Sequence, residues 1–447
     1  MWAPCLSLIS EMACQDACHR GRLGPGVITY NAAVDACAAP GHWELAFDLL
    51  KVACHSSLEP NVVTCSSAMS AGEKGDQWAW TLSLLGGMQQ QELPPNTITC
   101  NAAISACEKC GRWVGALRLL SGMSRGLGGA EPSVISHNAA ISACEKSGQW
   151  WWALELLDTM QQNDFGADAV SYNAATGACA QATAWERAFL LLADMGLRRL
   201  RAGVISYGAV LSACARGGQL ELASLAIEDM IRRQLHPDVA AWSSLASACE
   251  KAERWDAALA ALASLRCAGL RPDVAFYSAA VSACGRCGQK GPALALLDEM
   301  RQERCSPNAV TCNAAITACE RSADWEFAVG LLEEMVERDL PRDEITYSAM
   351  ITVCGRGGQW QLSLGLLEEA RRLALPLDEI WYEAAVRACE TSLQGKHISG
   401  VLSELRQAAL SSWGGAGSAS SAARGPRRTR RRRALARGRR GKTGGEK

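Results

Sequence analysis

The side chains best placed to do chemistry in this 447-residue chain are short, polar and evenly spaced. One series is Asn31, Ser66, Asn101, Asn138, Asn173, Ser243, Ser278, Asn313 and Ser348, with Gly208 where one more would fall. A second series is Asn61, Asn96, Ser133, Asp168, Asp238, Asp273, Asn308, Asp343 and Asp378, with Gly203 where the partner of Asn173 would fall. Each member of the second lies 30 residues after its partner in the first, except Ser133, which comes two residues late. Amides and hydroxyls donate and accept hydrogen bonds, and a carboxylate only accepts. The six histidines are scattered singly, so no triad or metal cluster accompanies these groups. The pattern suits recognition of a ligand rather than its transformation.

A repeat positions these groups. Residues 27–37 read VITYNAAVDAC, 97–107 TITCNAAISAC, 134–144 VISHNAAISAC, 169–179 AVSYNAATGAC and 309–319 AVTCNAAITAC. Cys144, Cys179, Cys214, Cys249, Cys284, Cys319, Cys354 and Cys389 are each 35 residues apart. Cys37 and Cys107 are 70 apart, with Gly72 in the place between them. Only the step from Cys107 to Cys144 is longer, by two residues in the Gly-rich stretch 126–130, an insert that could break the register of the third repeat. A period of this length marks a stacked-repeat solenoid.

Let Val27 to Asn31 fill positions 1 to 5; the two polar series are then positions 5 and 35. Pro60, Pro95, Pro132, Pro237, Pro272 and Pro307 precede position 35. Pro then Asp or Asn is a helix-entry signal, the Asx side chain capping the free N–H groups of the next helix. The first helix runs through the Ala-rich phrase to Ala-Cys and commonly ends at a glycine such as Gly111, Gly148, Gly218, Gly288 or Gly358, suited to a left-handed C-cap. In the second helix Trp150, Ala153, Leu154, Leu157 and Met160 form one apolar face. Tryptophan recurs at the first of these places, as Trp43, Trp78, Trp113, Trp185, Trp255, Trp325 and Trp360. Asn and Ser at position 5 are middling helix formers, roughly half a kcal/mol worse than Ala. Packing alone does not explain them. At position 35 capping is a stronger competing explanation than packing is at position 5, because Asp, Asn and Ser are good N-caps.

The period of 35, the V-x-T-Y-N opening, the mid-repeat Gly, the A-x-x-L-L-x-x-M of the second helix and the closing P-D or P-N together resemble the pentatricopeptide repeat family, as a P-type array. The Trp lies in the second helix, which sets the pattern apart from the tetratricopeptide repeat. The resemblance implies an all-α fold, a right-handed α-solenoid (superhelix) of 35-residue helical hairpin repeats. It assigns residues 27–378 to ten repeats, 379–413 to a degenerate terminal or capping repeat and 1–26 to a degenerate partial repeat. It implies single-stranded RNA as the partner, one base per repeat, read by positions 5 and 35. Position 2 (Ile28, Val63, Ile98, Ile135, Val170, Ile205, Val310 and Ile345, with Ala240 and Ala275 between) would clamp the bases, although buried packing selects the same residue types. Asn at position 5 would favour pyrimidines and Ser purines; Asp at position 35 would favour U or G and Asn C or A. From 5′ to 3′ the repeats then read C, A, pyrimidine, U, pyrimidine, an unassigned sixth base, G, A, U, G. An organellar role in RNA processing, stability or translation, plastid before mitochondrion, with processing factors recruited in trans, is likewise what the resemblance implies. The first 26 residues show no clear transit peptide.

The remaining signals are weaker. Ten of the twenty-one cysteines sit at one repeat position and read as packing thiols. In the pairs Cys107/Cys110 and Cys284/Cys287 the first is the repeat cysteine. His42-Trp43-Glu44 mimics a deaminase HxE motif, but neither CxxC follows Pro. No apolar run approaches the ~18 residues of a membrane helix, and no cofactor is indicated. From Arg424 onward ten Arg and two Lys face one Glu, so this stretch carries +11 and the rest of the chain −12. Residues 414–447 read as a disordered basic tail. There Arg427, Arg428, Arg430, Arg431, Arg432 and Arg433 would contact phosphates; nuclear import and a merely solubilising end are the other readings. A protein-binding α-solenoid is the alternative function. The residues after Trp413 leave no room for an appended catalytic domain.

Overall fold

The computed structural model describes residues 27–38, 42–55, 61–163, 165–373, 375 and 379–391. Expectations for residues 1–26, Asp378, 392–413 and the basic stretch 414–447 lie outside the described residues. Every helix found belongs to a repeat, and no strand occurs among the described residues. The chain divides into two compact blocks, residues 1–307 and 308–447.

In the first block the first helices are α1 (Val27–Ala38), α3 (Val62–Lys74), α5 (Thr97–Lys109), α7 (Val134–Lys146), α9 (Ala169–Gln181), α11 (Val204–Gly217), α13 (Val239–Lys251) and α15 (Val274–Arg286). The second helices are α2 (Trp43–His55), α4 (Trp78–Gln90), α6 (Trp113–Ser124), α8 (Trp150–Gln162), α10 (Trp185–Leu197), α12 (Leu220–Arg232), α14 (Trp255–Cys267) and α16 (Lys290–Gln302). In the second block α17 (Ala309–Cys319), α19 (Glu344–Arg356) and α21 (Glu379–Thr391) are first helices, and α18 (Trp325–Glu337) and α20 (Trp360–Arg372) second helices. Within each block a first helix packs on its own second helix and on the first helix of the next repeat.

Small side chains permit that close stacking. Ala103, Ala106 and Cys107 of α5 are fully buried, as are their counterparts Ala140, Ala143 and Cys144 of α7. Burial pushes the repeat thiols up, to about 11 at Cys107, Cys144 and Cys179 and about 12 at Cys214, so they pack as neutral groups. Cys110 and Cys287 donate to the Asp76 and Glu253 carbonyls of the preceding repeat, at 3.2 and 3.1 Å. The apolar face of α8 is centred slightly differently from the sequence expectation: Ala153, Leu156, Leu157 and Met160 are buried, and Leu154 only half so. The repeat tryptophan joins neighbouring repeats. A methyl at Gly75, Gly217 or Gly357 would meet the indole of Trp43, Trp185 or Trp325 at 2.4 to 2.8 Å.

Gly72 is the one described first-helix position where glycine replaces the repeat cysteine, and its neighbours explain the exchange. A β-carbon there would lie 2.6 Å from Trp80 and 2.7 Å from Thr81. Trp80 packs against Trp43 and Phe47, with ring centroids 6.4 and 5.7 Å apart. Gly72→Cys should therefore cost about 1–3 kcal/mol of overpacking. Adding Trp80→Leu should recover most of it, read as the midpoint of urea unfolding.

The turn after each first helix from α3 to α19 has a left-handed residue at position 15. There the N–H of position 16 bonds the carbonyl of position 11, as Arg112 to Cys107 at 2.8 Å and Gln149 to Cys144 at 2.9 Å. Gly111, Gly148, Gly218, Gly288 and Gly358 fill it at φ between 63° and 69°. Asp76, Thr183, Glu253 and Ala323 fill the same place at φ 57°, 59°, 54° and 54°. The β-branched Thr183 is the most strained of these. Thr183→Gly should raise unfolding stability by about 1 kcal/mol, the relief exceeding glycine's entropy cost; an unchanged or lowered melting midpoint would contradict this.

Candidate functional site

Position 2 lies in the first turn of each first helix, two residues after the cap, and its side chain stands in solvent. Ile28 is 84% exposed and Ile205 74%, while Val63, Ile98, Ile135, Val170, Val310 and Ile345 lie between 57% and 65%. Ala240 and Ala275 interrupt the series and are exposed as well. Core packing is thereby excluded as the reason for these residues. Ile380 of α21 is 61% exposed and extends the row by one place that the sequence reading had not included. Aliphatic side chains displayed at the same place in successive repeats mark a contact surface rather than scattered surface apolarity.

Position 35 is the N-cap of the following first helix. Asn61, Asn96, Ser133, Asp168, Asp238, Asp273, Asn308 and Asp343 each accept the N–H of the third helical residue. Gly203 caps with backbone alone. Burial pushes the Asp168 carboxyl up, but hydrogen bonds from the Ser171 N–H, the Ser171 hydroxyl, the Asn138 amide and the Val170 N–H outweigh it, leaving the group below the ordinary carboxylate range. At Asp343 burial is likewise outweighed by Thr346 and Asn313. Both stay ionised across the neutral range. The bonds from Ser171 and Asn138 converge on Asp168 Oδ1, and those from Thr346 and Asn313 on Asp343 Oδ1. Oδ2 of each takes none of them.

Position 5 meets this cap across the junction between repeats. The amide Nδ2 of Asn138 donates to Asp168 Oδ1 at 3.2 Å, that of Asn313 to Asp343 Oδ1 at 3.1 Å and that of Asn31 to Asn61 Oδ1 at 3.4 Å. Ser243 Oγ donates to Asp273 Oδ1 at 2.9 Å. Ser66 turns to its own helix, donating to the Val63 carbonyl, and Ser278 to that of Val274. Ser278 and Asn313 are buried, and the other position-5 residues are half-buried. Ser278 belongs to the first block and Asn308 to the second. The insert leaves the register intact: its two residues are taken up by a 3-10 turn at Leu127–Gly129, and Ser136 Oγ still reaches Asn101 Oδ1. Around Gly208 the face thins, since Ala240 shortens the clamp and Ala241 brings no hydroxyl.

Two further elements were not picked out from the sequence. The hydroxyl at position 3 (Thr64, Thr99, Ser136, Ser171, Ser206, Thr311, Thr346) is buried beside the cap; its signal was the recurring Thr or Ser of the V-x-T-Y-N opening. A basic residue also ends seven of the eleven described first helices, as Lys74, Lys109, Lys146, Arg216, Lys251, Arg286 and Arg356. Lys146 pairs with Glu108 of the preceding repeat at 3.3 Å, and Lys109 donates to the Glu73 carbonyl at 2.9 Å. The mildly acidic repeats thus carry their own row of cations.

Family models agree with this anatomy. The PPR repeat family matches residues 307–356, the pentatricopeptide repeat domain 190–252 and 261–321, and the PPR repeat 98–126, 135–165 and 345–373. The chain belongs to the pentatricopeptide repeat family. The crystal structure of the pentatricopeptide repeat protein PPR10 in complex with an 18-nt psaJ RNA element is similar at a TM-score of 0.59 and 20% identity, over 85% of this chain and 60% of that one. PPR10 from maize is similar at 0.53 and 19%, over 91% and 66%. The chain thus spans about 60% of the length of the first of these, and at such identity the likeness is one of fold. No curated protein matches at the level of sequence. No helix among the described residues is long and apolar enough to cross a membrane.

Proposed function

We propose that this chain binds single-stranded RNA sequence-specifically, one base at each junction between repeats. The observation that carries the reading is the alternation of an exposed aliphatic at position 2 with short polar groups at positions 5 and 35, bonded to each other at four of the junctions. Unstacked bases offer flat apolar faces to the first and edge donors and acceptors to the second. At Asp168 and Asp343 the ionised, acceptor-only carboxylate suits a base presenting a ring N–H, U or G. Phosphates would be met by the basic residues at the first-helix ends and by Arg427–Arg433. In the cell we place the protein in an organelle, plastid before mitochondrion, acting on transcript processing, stability or translation with factors recruited in trans; crosslinking and sequencing the attached RNA tests this.

Selection from randomised RNA tests the binding itself. The expected enrichment, 5′ to 3′, is C, A, pyrimidine, U, pyrimidine, any base, G, A, U, G, with the final G-A-U-G the firmest stretch. Selection that enriches no sequence, or capture of a peptide ligand on the same face, would overturn the reading.

A further inference from the structure

The geometry points to the hydroxyl at position 3 as a positioning residue that fixes which way the preceding repeat's asparagine presents its amide, and so how sharply that asparagine discriminates bases. This rests on the proposed role of the first-helix face in reading RNA. Five repeats have Asn at position 5, and the repeat after each has Ser or Thr at position 3. In all five the hydroxyl donates to the amide oxygen: Thr64 to Asn31, Ser136 to Asn101, Ser171 to Asn138, Ser206 to Asn173 and Thr346 to Asn313. Where position 3 lacks a hydroxyl, at Ala241, Phe276 and Trp381, the preceding position 5 is Gly208, Ser243 or Ser348.

A hydroxyl can donate or accept, so by itself it would not choose between the two orientations of an amide. Here a backbone group makes the choice. The N–H of position 35 donates to the same hydroxyl oxygen from Asn61, Ser133, Asp168, Gly203 and Asp343, at 3.1 to 3.3 Å. That bond leaves the hydroxyl its proton to give, shared between two acceptors: Asn Oδ1 lies 2.5 Å from Ser171 Oγ and 2.8 Å from Thr346 Oγ1, and the cap's Oδ1 2.9 and 2.8 Å. The amide then keeps its oxygen inward and its Nδ2 towards the cap, as at Asn138 and Asn313. At Thr99, which follows a serine, the hydroxyl turns instead to the Asn96 carbonyl at 2.7 Å.

Without the hydroxyl, an amide turned by 180° would present an acceptor where a donor stood, and the base opposite would be read less sharply. The test is binding of the full chain to RNAs varied at the fourth or ninth base, with Ser171→Ala, Thr346→Val, Ser171→Thr and Thr99→Val. Ser171→Ala should lower the preference for U at the fourth base about fivefold, and Thr346→Val that at the ninth, each leaving the other bases unaffected. Ser171→Thr should keep the preference, and Thr99→Val, which also weakens a helix start, should move no preference. Circular dichroism establishes that each variant is folded. Unaltered preferences in Ser171→Ala and Thr346→Val, or an equal loss in Thr99→Val, would overturn this inference alone. A wild-type chain without base preference would overturn the RNA reading together with it.

Discussion

Replacing Ile135, Val170 and Ile205 together with alanine is expected to weaken RNA binding on the order of 100-fold while leaving the fold as stable as before. Each truncation removes two or three carbon atoms that a bound base would cover, worth about 1 kcal/mol apiece when partly buried in the complex. In the free protein the same side chains are 65%, 57% and 74% exposed, so their loss opens no cavity. Alanine is also the better helix former, by roughly half a kcal/mol per site. A buried clamp would behave oppositely, losing several kcal/mol of stability per truncation. Fluorescence anisotropy on a labelled oligonucleotide and a thermal melt of the same sample separate the two cases. A lowered melting midpoint with unaltered affinity would place these residues in packing instead of binding.

Asn138→Ser should turn the preferred fourth base from U to G, with the two affinities exchanging order by about tenfold. Asp168 keeps its ionised acceptor, and both bases bring it a ring N–H. Serine is shorter than asparagine and leaves room for the larger purine. The Ser171 hydroxyl loses Asn138 Oδ1 but retains Asp168 Oδ1 at 2.9 Å, so the helix cap survives. Competition between two oligonucleotides differing only at that base measures the exchange. An unchanged order would remove position 5 from base reading.

Much of this was legible in the sequence because a strict period repeats each signal many times over. A single V-x-T-Y-N phrase would be ambiguous between strand and helix; its recurrence with Asx caps and an Ala-Cys ending settled it. Exposure was not legible. Ile135 and Ile141 lie on the same helix, and only the fold shows that the first stands in solvent and the second is fully buried. The role of position 3 stayed hidden for a related reason. Ser171 reads as an ordinary first-turn residue until the asparagine 33 residues earlier is brought against it. Gly72 likewise looked like a lost cysteine, and only Trp80, in the next helix, accounts for it.

The cap that closes one repeat and opens the next has a consequence for how such arrays can be cut and rejoined. The parts proposed to read the fourth base run from Asn138 to Ser171, while the helical hairpin begins at Val134. The chemical cassette is therefore offset from the folding cassette by four residues. An exchange made at hairpin boundaries would splice half of one reader to half of another. Splices placed between positions 3 and 5 would carry each reader over whole. By the same logic, the proposed function makes the number of bases an array reads equal to its junctions and not to its hairpins.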